Sequence, residues 1–223
     1  MSDGSSAGTW LLLDAAGPEL VTGLLREDRW VARNRHQGGF LESLQPSVKA
    51  LLEASSLGLP DLSGAVSAAG PGSTLGLRHS AMFLRSLLGL PALSHWSCCT
   101  YNNLALAGCG LIASGQAGPF DLAAPWRRNR LHLATFQSGP PLRITTQYRD
   151  HHPDAPYSGV WVQLGTRDPS HLRAEHRIPY PVERIPEILA AFPEILEPAS
   201  QPAPLQLDNP AFAPWSGERH ARA

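Results

Sequence analysis

From residue 9 onward the chain sets short apolar runs between turn residues, and the first, "TWLLLD", places four large apolar side chains ahead of an acid. A run of that length bounded by turn residues predicts a buried strand over residues 10–13 that ends at Asp14, with "AAGP" as the turn. Residues 20–25 and 30–32 read as two further strands of a meander. The period then lengthens: Leu41, Leu44, Val48, Leu51 and Leu52 recur at helical intervals, with Gly58 as the stop. Pro46 removes a backbone donor inside this segment, so the helix is expected to start near Pro46 or to bend there.

A short strand over residues 65–69 runs straight into "GPGSTLG". Ser73 or Thr74 caps a helix reaching about Leu88, ended by Gly89 and Pro91. Leu77, Ala81, Leu84 and Leu88 line one face of it, and Gly76, Ser80, Phe83 and Leu87 a second. The clearly polar strip is confined to Arg78, His79, Arg85 and Ser86. An apolar stripe this wide predicts burial on two sides, between layers of the fold or against a partner.

"PALSHWS" is expected to be another short strand, and "CCTYNNLALAGCGLIAS" a helix that closes the first half. In the second half, residues 131–136 alternate as a half-buried strand, a second strand follows near residues 142–146, and "GVWVQLG" makes a third. "VERIPEILAAFPEIL" reads as a proline-broken helix and "LDNPAFAPWSGERHARA" as an irregular tail. The organisation expected is a disordered leader over residues 1–8, a first lobe over 9–108, and a smaller second lobe over 109–223 with a proline-rich tail.

Composition narrows the function classes. The 223 residues carry a formal net charge of -1, so no global positive field draws in nucleic acid. The start has no basic region ahead of a long apolar stretch, and no apolar run approaches membrane-spanning length, so a soluble cytoplasmic protein is expected. Three cysteines, Cys98, Cys99 and Cys109, form neither a disulfide framework nor a CxxC ligand pair, and read as small buried hydrophobes.

The glycine loop fails the two common phosphate-binding patterns. GxxxxGK[ST] needs a lysine that is absent, and Gly70, Gly72 and Gly76 give GxGxxxG rather than GxGxxG, with Pro71 lacking an N–H. Two readings remain: glycines that turn a strand-to-helix corner and let the helix pack close, or an anion site at the helix N-terminus after Ser73. No HxxxH pair is present. The nearest histidine pairs are His151 with His152 and His171 with His176, so no metal is expected. GxSxG is absent as well, and no catalytic residues are assigned. "PWRRNR" sets Trp126 beside Arg127, Arg128 and Arg130, a candidate RNA contact through stacking and phosphate binding, against the ordinary reading of a solvated hairpin end.

"GPGSTLGLR", the signature made by Gly70, Pro71, Gly72, Ser73, Gly76 and Arg78, resembles the GPGSFTGLR loop of the bacterial TsaB (YeaZ) proteins, of the glycoprotease-like superfamily. "WLLLDAAGPELVTGLL" is similar to the family's opening strand, acid and hairpin, "ESLQPSVKALLEASSLGLPDLSGAVSAAGPGS" to its first helix and following strand, and "PWRRNRLHLATF" to the start of its second lobe. The resemblance implies an α/β, two-lobed, actin-like ATPase fold of ribonuclease-H-like topology, with mixed sheets flanked by helices. It also implies a noncatalytic role, supporting a TsaD-type subunit alongside a TsaE-type ATPase in tRNA threonylcarbamoyladenosine modification. The chain would form a homodimer in isolation and meet tRNA only through the complex. The partner interface would then lie on Leu41, Leu44, Val48 and Leu51 of the first helix and Leu77, Ala81, Leu84 and Leu88 of the second.

Departures from the pattern bear on chemistry. The hydroxyl residues that follow the opening acid in the family are Ala15 and Ala16 here, the family's Phe-Thr pair in the loop is Thr74-Leu75, and its histidine ahead of the first helix falls on Phe40. The Asp and Glu of its second lobe fall on Pro125 and Arg130. Asp14 is left as the candidate for holding a nucleotide's magnesium, against the ordinary role of a strand-end carboxylate as a cap. No cofactor is therefore expected; the alternative is a small ATP-dependent phosphotransferase of the same superfold, with magnesium and ATP between the lobes.

Overall fold

The computed structural model describes residues 8–37, 39–127, 130–137, 141–150, 157–164 and 174–205. The opening apolar run forms β1 (Trp10–Asp14), followed by β2 (Glu19–Arg26) and β3 (Arg29–Gln37) in an antiparallel meander. β3 is longer than its apolar residues predict, because the register with β2 carries pairing from Arg29 as far as Gln37.

The first helix, α1 (Phe40–Ala54), starts six residues before Pro46, which corrects the first of the two expectations, and runs on through the proline. The turn at Gly39, whose carbonyl accepts from Ser43 N, launches the helix. Leu44 on one side of the proline and Val48 and Leu51 on the other are all buried. That burial outweighs the one hydrogen bond Pro46 cannot make. β4 (Gly64–Gly70) then leads through the glycine loop to α2 (Thr74–Leu88), capped by Ser73, whose side chain accepts from Gly76 N.

The next strand and helix come in the expected order, but both start later than expected. "PALSHWS" contains a 3-10 turn (Pro91–Leu93), and the strand is β5 (Ser97–Asn102), built from the "CCTYN" residues assigned to a helix on sequence. Thr100 and Tyr101 favour an extended chain, and the Asn102 side chain accepts from Leu104 N and Ala105 N, so α3 (Asn103–Ala113) begins only after the strand.

β6 (Phe120–Arg127), β7 (Arg130–Phe136), β8 (Ile144–Asp150), β9 (Tyr157–Gln163) and β10 (Ala174–Pro179) make a second sheet in the order β10-β9-β6-β7-β8. The proline-broken helix is a 3-10 turn (Val182–Arg184), α4 (Ile185–Ala191) and a second 3-10 turn (Pro193–Ile195). β11 (Leu196–Pro198) then returns to the first sheet beside β5.

The first sheet runs β11-β5-β4-β1-β2-β3, with β1, β4 and β5 parallel and β2 antiparallel to β1. This is the ribonuclease-H-like order. Alternation along β1 sends Leu11 and Leu13 to the face covered by α1 and α2, and Leu12 to the face covered by α3 and α4. α3 is apolar all round because it lies between layers: Leu106 and Cys109 pack on the first sheet, Leu104 and Ala107 on the second. Burial pushes the thiols of Cys98 and Cys109 up to about 11 and about 12, as for inert core residues.

Candidate functional site

Asp14 closes β1 at the carboxyl end of the parallel strands, where open α/β sheets bind ligands. It is 2% exposed. Its Oδ1 accepts from Ala16 N at 2.9 Å. Its Oδ2 accepts the Tyr101 hydroxyl at 2.7 Å, the Tyr180 hydroxyl at 2.7 Å and Asn103 Nδ2 at 3.4 Å. Asn103 also donates to the Tyr180 oxygen at 2.6 Å and accepts from Gly70 N at 3.0 Å, which joins the glycine loop to the same network. Burial pushes the Asp14 carboxyl above the ordinary carboxylate range, against the pull of its hydrogen bonds. Burial, followed by the nearby Asp14 charge, raises both tyrosine hydroxyls well above their ordinary value.

The hollow of the glycine loop is filled from within. A side-chain carbon at Gly72 would stand 2.5 Å from the Ala16 carbonyl oxygen, and one at Gly76 would stand 2.3 Å from that of Ala15. Ser73 N donates to the Ala16 oxygen at 2.8 Å. The β1–β2 turn thus packs directly on the loop, and the glycines serve close approach of two backbone segments. Gly70, at φ +124°, also carries the positive φ expected of the corner. Leu205 N donates to the Ala69 oxygen, so a later stretch of chain crosses the same corner.

The residues assigned to a partner interface divide sharply. Leu44, Val48, Leu51, Leu77, Ala81 and Leu84 are buried in the protein's own core, which corrects their assignment as contact residues. The wide stripe on α2 meets the layers beneath it, with Leu84 in the cluster shared with α1 and Leu77 in the cluster shared with Val66 and Tyr101. Leu88 is half-buried against the first of these clusters, and Leu41 is 65% exposed.

Sequence reasoning missed Leu75 and Met82, which are 61% and 66% exposed on α2. Seven residues apart, they share one face two turns long. Their signal was available: both fall within the strip of Arg78, Arg85 and Ser86, where a soluble helix normally places polar groups. Leu90, 46% exposed, follows just beyond the helix end.

The arginine cluster is tied down where the structure describes it. Arg130 Nε lies 3.0 Å from Asp150 Oδ1, and its guanidinium sits 5.2 Å from the Tyr148 ring centroid. Trp126 and Arg127 end β6, whereas Arg128 lies outside the described residues, as do His151, His152, His171 and the tail from residue 206. Among the described residues no cluster of metal-ligating side chains occurs, and no helix is long and apolar enough to cross a membrane.

The two sheets and their order define a two-lobed α/β protein whose first lobe is ribonuclease-H-like. No family model matches the sequence, and no curated protein does. Solved structures share the fold. YeaZ from Pseudomonas aeruginosa matches at 18% identity with a TM-score of 0.63, over 90% of this chain and 100% of that one. A structure described as an uncharacterized protein with similarity to peptidase YEAZ from Pseudomonas aeruginosa matches at 17% identity with a TM-score of 0.64, over the same shares. The chain therefore has the YeaZ fold.

Proposed function

We propose that the protein is a TsaB-like, noncatalytic scaffold that supports a TsaD-type enzyme in tRNA threonylcarbamoyladenosine modification, in the cytoplasm. The observation that carries this reading is the exposed apolar pair, Leu75 and Met82, on the helix launched by the GPGSTLG loop of a YeaZ-like fold. Large apolar side chains held in water on a rigid helix gain free energy by association. The contact surface is accordingly the outer face of α2, with Leu41 of the neighbouring α1, in place of the buried stripe. The same face would pair two copies when the partner is absent. A TsaE-type ATPase and tRNA would be met only within the complex.

The occupied oxygens of Asp14 and the tightly packed loop support a scaffold over a phosphotransferase, since the chain's own donors already hold the carboxylate that magnesium would need. The experiment is complementation of a bacterium depleted of its own TsaB, scored by mass spectrometry of tRNA nucleosides. Restoration of the modified adenosine by the wild-type chain, and its loss with Met82→Glu, is the expected result. Failure of the folded wild-type chain to restore it sinks the reading. Tight magnesium-ATP binding in a calorimetric titration would move the assignment to the enzyme.

A further inference from the structure

The chain leaves the second sheet at Pro179 and returns to the first through α4, so residues 180–184 are the crossover between the lobes. Each end of that crossover is tied to the β1–β2–β3 meander by a different kind of chemistry. The inner tie is the Tyr180 hydroxyl on Asp14 Oδ2 at 2.7 Å, between a half-buried tyrosine and a carboxylate that is 2% exposed. The outer tie is Glu183. Its carboxylate pairs with Arg33 and, at 3.1 Å, with Arg35, and its backbone carbonyl accepts from Trp30 Nε1 at 3.0 Å. Arg33 lies over the same Trp30 ring, 5.6 Å from its centroid.

The two ties differ in strength. The Glu183 side chain is 60% exposed, so its ion pairs are screened by salt and contribute little. A hydrogen bond to a carboxylate that is itself buried is among the stronger kinds. Tyr180 also packs against both the α3–α4 cluster and the second-sheet cluster, which makes it a residue where the two lobes meet. Between the ties lies a cleft of about 190 Å³, lined by Asp14, Gly17, Glu19, Arg35, Gln163 and Tyr180 among others. Arg35 belongs both to the cleft wall and to the outer tie.

We propose that residues 180–184 form a two-point interlobe clamp: Asp14 and Tyr180 pin the angle between the sheets, and Glu183 is an outer clasp that releases first. Asp14 thus serves as a positioning residue, and opening of the clasp widens the cleft without unseating the lobes. This is independent of which partner the α2 face binds.

The test is hydrogen exchange read by mass spectrometry on the full-length protein and three variants. Tyr180→Phe keeps the ring and removes one hydroxyl. It is expected to speed exchange in β10, the crossover and α4 by about tenfold while β1 and β4 stay at the wild-type rate. Tyr101→Phe removes a hydroxyl from the same carboxylate oxygen, but its donor belongs to the same sheet as Asp14, so the crossover rates should stay within about twofold. Glu183→Gln should raise exchange at residues 182–184 alone, and wild-type protein in about 1 M salt should reproduce that pattern. Unchanged exchange in Tyr180→Phe, equal loosening by both tyrosine variants, or release of β10 by Glu183→Gln would each overturn the clamp. Should Tyr180→Phe not fold, Asp14→Asn, which keeps the shape and removes the charge, is expected to loosen the same segments and leave β4 unchanged.

Discussion

The carboxyl end of β1 and the outer face of α2 lie on one lobe and distribute their chemistry in opposite ways. At Asp14 the polar groups are out of water, and each carboxylate oxygen has a donor within the chain. On the outer face of α2 large apolar groups face water: Leu75 and Met82 stand in solvent. A reactive site needs the reverse, with polar groups kept available for a ligand and apolar groups shielding them. The contrast teaches that the acid in this fold can act as a structural centre, apart from the helix face proposed to associate.

The hardest test of that contrast is Asp14→Ala. It strands two tyrosine hydroxyls and the Asn103 amide in a buried space, and should cost about 3 kcal/mol of stability by urea unfolding. A variant as stable as wild type would mean the carboxylate is dispensable to the fold. Gly76→Ala pushes a methyl group into the Ala15 carbonyl and should cost about 2 kcal/mol by the same measurement, because backbone on both sides has to move. Met82→Glu should change stability by less than about 0.5 kcal/mol, yet weaken partner or self-association about tenfold or more, read by analytical ultracentrifugation. Equal effects on stability and association would erase the difference between the two regions.

The finest test uses pH. The folded-state pKa of Asp14 is raised, so the folded protein holds this proton more tightly than the unfolded chain. The contribution of Asp14 to stability is then fully present below the ordinary carboxylate value of 3.8 and declines as pH rises through the folded-state value. Glu19, lowered by its hydrogen bonds from Arg35, runs the other way and gains as pH rises. Replacing Asp14 by Asn removes only the declining part. The destabilisation caused by Asp14→Asn should therefore shrink between about pH 3 and about pH 7 in urea midpoints. A cost that grows over that range would contradict the raised value.

Much of the first lobe was legible because its signals are local. The Ser73 cap and the Gly89 stop bracket α2 at the expected residues, and the apolar run of β1 ends at its acid. Errors arose where distant contacts decide. Burial of Leu44, Val48 and Leu51 carries α1 through Pro46, and pairing with β4 draws "CCTY" into a strand. β6 and β10 gave too little alternation to be recognised at all. The site itself was half legible. Asp14 was singled out, but its partners Tyr101 and Tyr180 lie 87 and 166 residues away, and no spacing rule spans such gaps. The α2 stripe was recognised and assigned to the wrong neighbour, since periodicity marks which side chains avoid water without saying what covers them.

The outermost position of the first sheet is taken by β11, near the other end of the described chain from β1. During synthesis the opening strands leave the ribosome long before the segment that completes their sheet, and at about 5–20 residues per second the wait is of the order of ten seconds or more. From the time β5 emerges until β11 pairs with it, the free rim of β5 is exposed to other nascent chains, so the growing polypeptide passes through a window in which a chaperone has something to hold.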